Sequence, residues 1–205
     1  MSGDGVRVLG VDPGTRLCGW GIVERTGSSV RHVDNGVIVL DEKAPLATRL
    51  AVLMDRLDGL IAEYRPTLAA VETVFHNRNA RSALTLGHAR GVALAVSARH
   101  GLGIHEYTPQ QIKKAVTGSG RADKAQVQQM ITLQLGLGDP PQADAADAVA
   151  AALCHAQHLA LGLPTMQLPP KPKGGKRKAK AALEALVARQ AAAARKRNPR
   201  KGGRR

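Results

Sequence analysis

Asp12 closes an apolar stretch, VLGVD at residues 8–12, and Pro13 and Gly14 turn the chain immediately afterwards. An ionised carboxylate at the end of a buried strand is costly unless something compensates it, and a metal cation does so directly. Glu72 repeats the arrangement, because AAVE at 69–72 is a second apolar stretch that ends in an acid. If these two strands run parallel and side by side, both carboxylates arrive at one edge of a sheet. Asp144 and Asp147, within QADAADAVAAAL at 142–153, are three residues apart and so fall on one face of a helix. They stand near its N-terminus, where negative charge is favoured. Taken singly, each acid reads equally well as a cap or a solvated charge. Taken together, they form the hard-oxygen donor set that phosphodiester cleavage assisted by two divalent cations requires.

The elements that must position these acids follow from periodicity. Val6 to Val11, Gly19 to Glu24 and Val37 to Leu40 are short apolar runs separated by Gly, Ser, Asn or Asp, which predicts three successive antiparallel strands. From Pro45 to Tyr64 the apolar residues Leu46, Leu50, Leu53, Leu57, Leu60 and Ile61 recur at helical spacing, and Pro66 stops the pattern. Leu68 to Glu72 predicts a strand, Arg81 to Arg99 a helix, and Ile104 to Tyr107 a strand. Thr108 is placed to cap a short helix over Pro109–Val116. After the TGSG break at 117–120, helices are expected over about Arg121–Leu135, with Asp123 and Lys124 in or near the first turn, and over Ala143–Leu161. The order predicts an α/β fold, a mixed five-stranded sheet flanked by helices.

Charge is distributed unevenly. Of the formal charge of +14, residues 171–205 carry +13 and residues 1–170 only +1. A basic extension on a nearly neutral domain suits a polyanion, nucleic acid above all, although a solubilising tail has the same composition. Past Leu163 the Pro, Gly and Lys content cannot bury a core, so a domain over 1–165 and a mostly disordered basic tail over 166–205 are expected. Cys18 and Cys154 lack C-x-x-C spacing, which argues against a zinc site or a disulfide framework and fits a reducing cytoplasm. No segment approaches the roughly 18 to 20 apolar residues that span a bilayer, so no membrane association is expected.

Other residues suit a DNA-facing surface. Phe75, the sole phenylalanine, is followed by His76, Asn77, Arg78 and Asn79. It fits either a base-stacking platform, worth on the order of 1 to 3 kcal/mol per base, or a core anchor beneath the loop. Lys113, Lys114 and Lys124 flank the glycine-rich break, where positive charge can meet a phosphate backbone. His155 and His158 are three apart on the last helix, but no partner set completes a tetrahedral zinc site. They are expected to be surface or packing histidines, with His155 two turns beyond Asp147.

LGVDPGTRLCGWG at 9–21, AAVETVFHNRNARSALTLGHARGV at 69–92, TPQQIKKAVTGSGRADKAQVQQM at 108–130 and PQADAADAVAAAL at 141–153 occur in this order. Together they closely resemble the bacterial RuvC family, Holliday-junction resolvases with a ribonuclease-H-like fold, over about residues 6–160. The resemblance implies a sheet of three antiparallel strands followed by two parallel ones. It implies a homodimeric endonuclease that nicks two strands of like polarity at a four-way DNA junction during recombination and repair. Mg²⁺ would be the cofactor, with Mn²⁺ as a substitute and two ions per site. Asp12, Glu72, Asp144 and Asp147 would be the catalytic, metal-holding acids. Phe75 would contact the junction, Lys113 and Lys124 would match lysines needed for cleavage, and Lys114 would join them at the DNA. The helix over Arg81–Arg99 would also meet the twofold mate, and the RuvA and RuvB branch-migration machinery would be a partner.

Two other functions fit parts of the pattern. A non-catalytic junction-binding protein of the same fold would not need all four acids. An actin-like or sugar-kinase-like ATPase also begins with D-x-G-T after its first strand, but needs two related lobes and a second phosphate motif, and no second D-x-G-T occurs.

Overall fold

A computed structural model of the chain describes residues 5–73 and 80–160. Its element order is β1 (Val6–Asp12), β2 (Leu17–Thr26), β3 (Ser29–Val39), α1 (Leu46–Tyr64), β4 (Leu68–Glu72), α2 (Ala80–His100), β5 (Gly103–Tyr107), α3 (Pro109–Thr117), α4 (Lys124–Leu135) and α5 (Ala143–Ala160). The strands form one sheet in the order β3-β2-β1-β4-β5. β1 pairs antiparallel with β2 and β2 with β3, whereas β4 joins β1 and β5 joins β4 in parallel. This is the ribonuclease-H-like arrangement of three antiparallel and two parallel strands.

Alternation along the strands divides the core in two. Leu9, Val11, Cys18, Ile22, Ala69 and Val71 face α1 and α2, where Leu53, Leu57, Ile61, Ala89, Ala93 and Val96 meet them. Val8, Val23, Ala70 and Tyr107 face the other way, against the apolar residues of α3, α4 and α5. Because strand side chains alternate with period two, Gly10 and Asp12 share the α5 side with Val8, and Glu72 shares it with Ala70. Both cysteines are buried free thiols. Among the described residues no helix is long and apolar enough to cross a membrane.

Local signals set most boundaries. Thr108 caps α3 through a capping box with Gln111, and Asp123 caps α4 through the same box with Gln126. Asp123 therefore lies outside the first turn, and Lys124 opens α4. α1 ends at Tyr64, and its C-cap Arg65, directly before Pro66, adopts a left-handed conformation with φ 51°. β3 begins at Ser29, eight residues earlier than its apolar run suggests. The added residues, including Arg31, Asp34 and Asn35, belong to an edge strand whose partner carries a register irregularity at Ile22/Val23, so the backbone ladder rather than apolar alternation holds them.

Candidate metal and nucleic-acid site

The site begins with the sheet. Val11 pairs with Val71 across the parallel β1–β4 ladder, so Asp12 and Glu72 follow that pair at neighbouring positions on strands about 4.8 Å apart. Across the antiparallel ladder Asp12 is opposite Gly19. Gly19 brings the helical acids in: a Cβ there would lie 1.9 Å from the Asp144 carbonyl oxygen. Two residues back on β1, a Cβ at Gly10 would lie 1.9 Å from the Ala148 carbonyl oxygen. No side chain fits either position, so α5 rests its backbone on a glycine track. The alanine-rich sequence of α5, with Ala145, Ala148, Ala151 and Ala152 buried, permits the same close approach from the helix side.

This seating brings the first turn of α5 to the end of β1. Burial raises the Asp12 carboxyl to about 7, aided by repulsion from Asp147 and Asp144. Glu72 is likewise raised to about 7, by burial first and then by Asp12 and Asp147. Lys124 Nζ donates to Asp147 Oδ2 at 2.9 Å, and that contact raises the lysine's own pKa. Lys113 is close enough to Glu72 to oppose its upward shift. Asp12, Glu72, Asp144, Asp147, Lys113 and Lys124 thus share one electrostatic site.

Among the described residues, no three His, Cys, Asp or Glu groups already stand in ligating positions around a common point. Asp147 is turned to the Lys124 ammonium instead. The donor set nevertheless fits a divalent cation. Two carboxyls are forced toward neutrality by burial and by neighbouring carboxylates, a third has drawn in a positive group, and all offer hard oxygen.

With Thr108, Gln110, Gln111, Gly120 and Arg121, Lys114 lines a depression of about 430 Å³ beside the glycine-rich turn, to which none of the four acids contributes. Phe75 lies outside the described residues, as does the basic segment 166–205. His155 is completely buried, and His158 makes a 2.7 Å contact through Nδ1 to the Cys154 carbonyl of its own helix. Sequence reasoning missed the parts played by Gly10 and Gly19. The available signal was the same-face spacing of Gly10 with Asp12, together with the G-W-G alternation opposite them on β2.

A family model described as crossover junction endodeoxyribonuclease RuvC matches residues 8–155. The crossover junction endodeoxyribonuclease RuvC of Syntrophotalea carbinolica is 51% identical over 151 residues, which cover 74% of this chain and 94% of that protein. The Marinobacter nauticus protein of the same name is 52% identical over 149 residues, covering 73% of this chain and 85% of that one. Thermus thermophilus RuvC in complex with a Holliday junction substrate superposes with a TM-score of 0.73 at 32% identity, covering 77% of this chain and 96% of that one. The matched span contains the acid-bearing end of β1, all of β4 and the acid-bearing turns of α5, and on these grounds the chain belongs to the RuvC family.

Proposed function

We propose that this protein is a crossover junction endodeoxyribonuclease that resolves four-way DNA junctions by nicking two strands of like polarity, with Mg²⁺ as the natural cofactor. The observation that carries this reading is the convergence of Asp12 and Glu72, both raised to about 7 by burial and by neighbouring carboxylates, at adjacent strand ends beneath the first turn of α5. Family membership supports the reaction type. A binding protein would have no use for two buried carboxyls gathered with further acids at one sheet edge.

Asp12 and Glu72 would hold divalent cations from the sheet, and Asp144 and Asp147 would hold them from α5, with two ions per site. Bound there, the cations supply Lewis acidity toward a scissile phosphodiester. The protein's own groups do the rest. The glycine track fixes the helical acids over the strand ends. Lys113 and Lys124 place positive charge beside the acids, where the phosphate's own charge would otherwise be repelled by the carboxylates. Lys114 reaches the DNA backbone from its separate depression. Phe75 stacks at the junction, and the basic tail over 166–205 follows the flanking duplex.

A homodimer completes the reading, because two sites at fixed separation match the near-twofold symmetry of a four-way junction. Leu84 of α2 is 65% exposed, a large apolar side chain on the helix assigned to meet the mate. The branch-migration proteins RuvA and RuvB would be partners in the cytoplasm. The test is strand nicking with each strand of a synthetic junction end-labelled in turn. Paired nicks on like-polarity strands in Mg²⁺, absent in Asp12→Asn while junction binding persists, support the reading. Undiminished nicking by that variant overturns the assignment of the acids.

A further inference from the structure

One buried polar group is not used by the site described above. On the α5 side of the sheet, Tyr107 sits beside Glu72 in the parallel β4–β5 register and His105 sits beside Ala70, so the two rings occupy successive rows of one face. His155 meets both. Its Nδ1 shares a 2.7 Å hydrogen bond with the Tyr107 hydroxyl, and its ring stacks on His105 at a centroid distance of 4.0 Å and an interplanar angle of 15°. His155 is completely buried and His105 is 6% exposed, and Nε2 of each ring makes no hydrogen bond among the described residues. Placing two imidazoles in such surroundings costs free energy, and an apolar pair would avoid that cost. The hydrogen bond to Tyr107 is what an apolar pair could not provide.

The bond's position gives it a purpose. Tyr107 also holds the end of the acid-bearing strand, since its carbonyl accepts from the Thr73 amide at 2.8 Å and from the Thr73 hydroxyl at 3.2 Å, directly after Glu72. His155 is eleven residues beyond Asp144 on α5. At 100° per residue, eleven residues make three turns plus about 20°, so the two lie along nearly one line of the helix, ~16 Å apart. A rotation of α5 about its axis would therefore swing Asp144 and His155 together. Gly10 and Gly19 set how deeply the N-terminal half sits by meeting helix backbone, and the side chain seated on the neighbouring Gly21 is that of Val149, midway along the helix. At the other end Arg25 donates to the Ala156 carbonyl at 2.6 Å from the β2 side, while Tyr107 holds His155 from the β5 side.

We infer that Tyr107 and His155 act as positioning residues, a bracket that fixes the rotation of α5 and so sets Asp144 and Asp147 against Asp12 and Glu72 for divalent-cation binding. The inference rests on the metal-dependent nuclease reading.

The test is Mn²⁺ binding to the full chain, followed by calorimetry and by the Mn²⁺-induced rise in melting temperature, for Tyr107→Phe, His155→Leu, His155→Asn and the Tyr107→Phe/His155→Leu pair. Asn is informative because its side-chain amide overlays the Nδ1 position and can still bond the tyrosine. The bracket predicts a 5- to 10-fold weakening of Mn²⁺ binding, at the lower edge of what outer-shell partners of metal ligands contribute, for Tyr107→Phe and for His155→Leu. It predicts that the paired variant is no weaker than the worse single one, and that His155→Asn recovers most of the loss. Lower melting temperatures with unchanged Mn²⁺ affinity would overturn the inference, as would losses that multiply in the paired variant. If the unaltered chain binds no Mn²⁺, the nuclease reading itself fails and the bracket fails with it. If that binding is present but insensitive to Asp12→Asn, the acid assignment fails instead.

Discussion

Replacing Asp12 with Asn should make the metal-free protein more stable at alkaline pH while removing its function. Asp12 moves from an ordinary value of 3.8 to about 7 on folding, because burial and the neighbouring Asp147 and Asp144 disfavour its charge. Between those two values the folded chain keeps a proton that the unfolded chain has released, so stability falls as pH rises through the interval and is lowest above about 7. A shift of about 3 units corresponds to about 4 kcal/mol when the group is fully ionised. Burial is the larger cause and a buried Asn amide still bears a desolvation cost of its own, so removing the charge should recover about 2 to 3 kcal/mol. Asn has nearly the same shape and removes only the charge. Urea unfolding in chelator at pH 8 should show Asp12→Asn more stable than the unaltered chain by that amount, with the difference shrinking toward zero at pH 4. Added Mg²⁺ should stabilise the unaltered chain at pH 8 and the variant much less. A variant less stable at pH 8, or a difference that does not depend on pH, would refute the claim that Asp12 is held under electrostatic stress.

Gly10→Ala should destabilise the fold by about 3 kcal/mol or more, because the new methyl would meet the Ala148 carbonyl, which can retreat only if α5 lifts; equilibrium unfolding measures the loss, and a neutral result would show that α5 is not seated on the track. Lys124→Met should change stability by less than about 1 kcal/mol, since its pairing with Asp147 is largely solvated, yet it should lower junction cleavage at least about tenfold. Cleavage equal to that of the unaltered chain would remove Lys124 from the site. Deletion of residues 171–205 removes +13 of charge and should weaken junction binding and flatten its salt dependence without abolishing nicking; an unchanged slope of binding against salt would separate the tail from DNA.

Much of this architecture was legible in the sequence because local and global signals agree. β4 is found over Leu68–Glu72 as its apolar run predicts, and α1, α3 and α5 begin within a residue of their predicted starts. The acids could be grouped because each terminates or opens an element, so parallel pairing of two strands brings Asp12 beside Glu72. β3 was underestimated because a polar edge strand is held by its ladder, which leaves no apolar pattern to read. Lys124 could be placed near the site, but its contact with Asp147 joins elements 23 residues apart, beyond what periodicity reports. The same holds for Tyr107 and His155, 48 residues apart, which meet only because β5 and α5 cover the same sheet face. Gly10 and Gly19 read as ordinary strand glycines until the helix above them is in place.

Anomalous diffraction from crystals of the full chain grown with Mn²⁺ tests the central claim most directly. The account predicts Mn²⁺ between the carboxylates of Asp12 and Glu72 on the sheet and those of Asp144 and Asp147 on α5, with Lys124 displaced from Asp147. Mn²⁺ bound elsewhere, with Lys124 still joined to Asp147 and the four acids without metal, would contradict it.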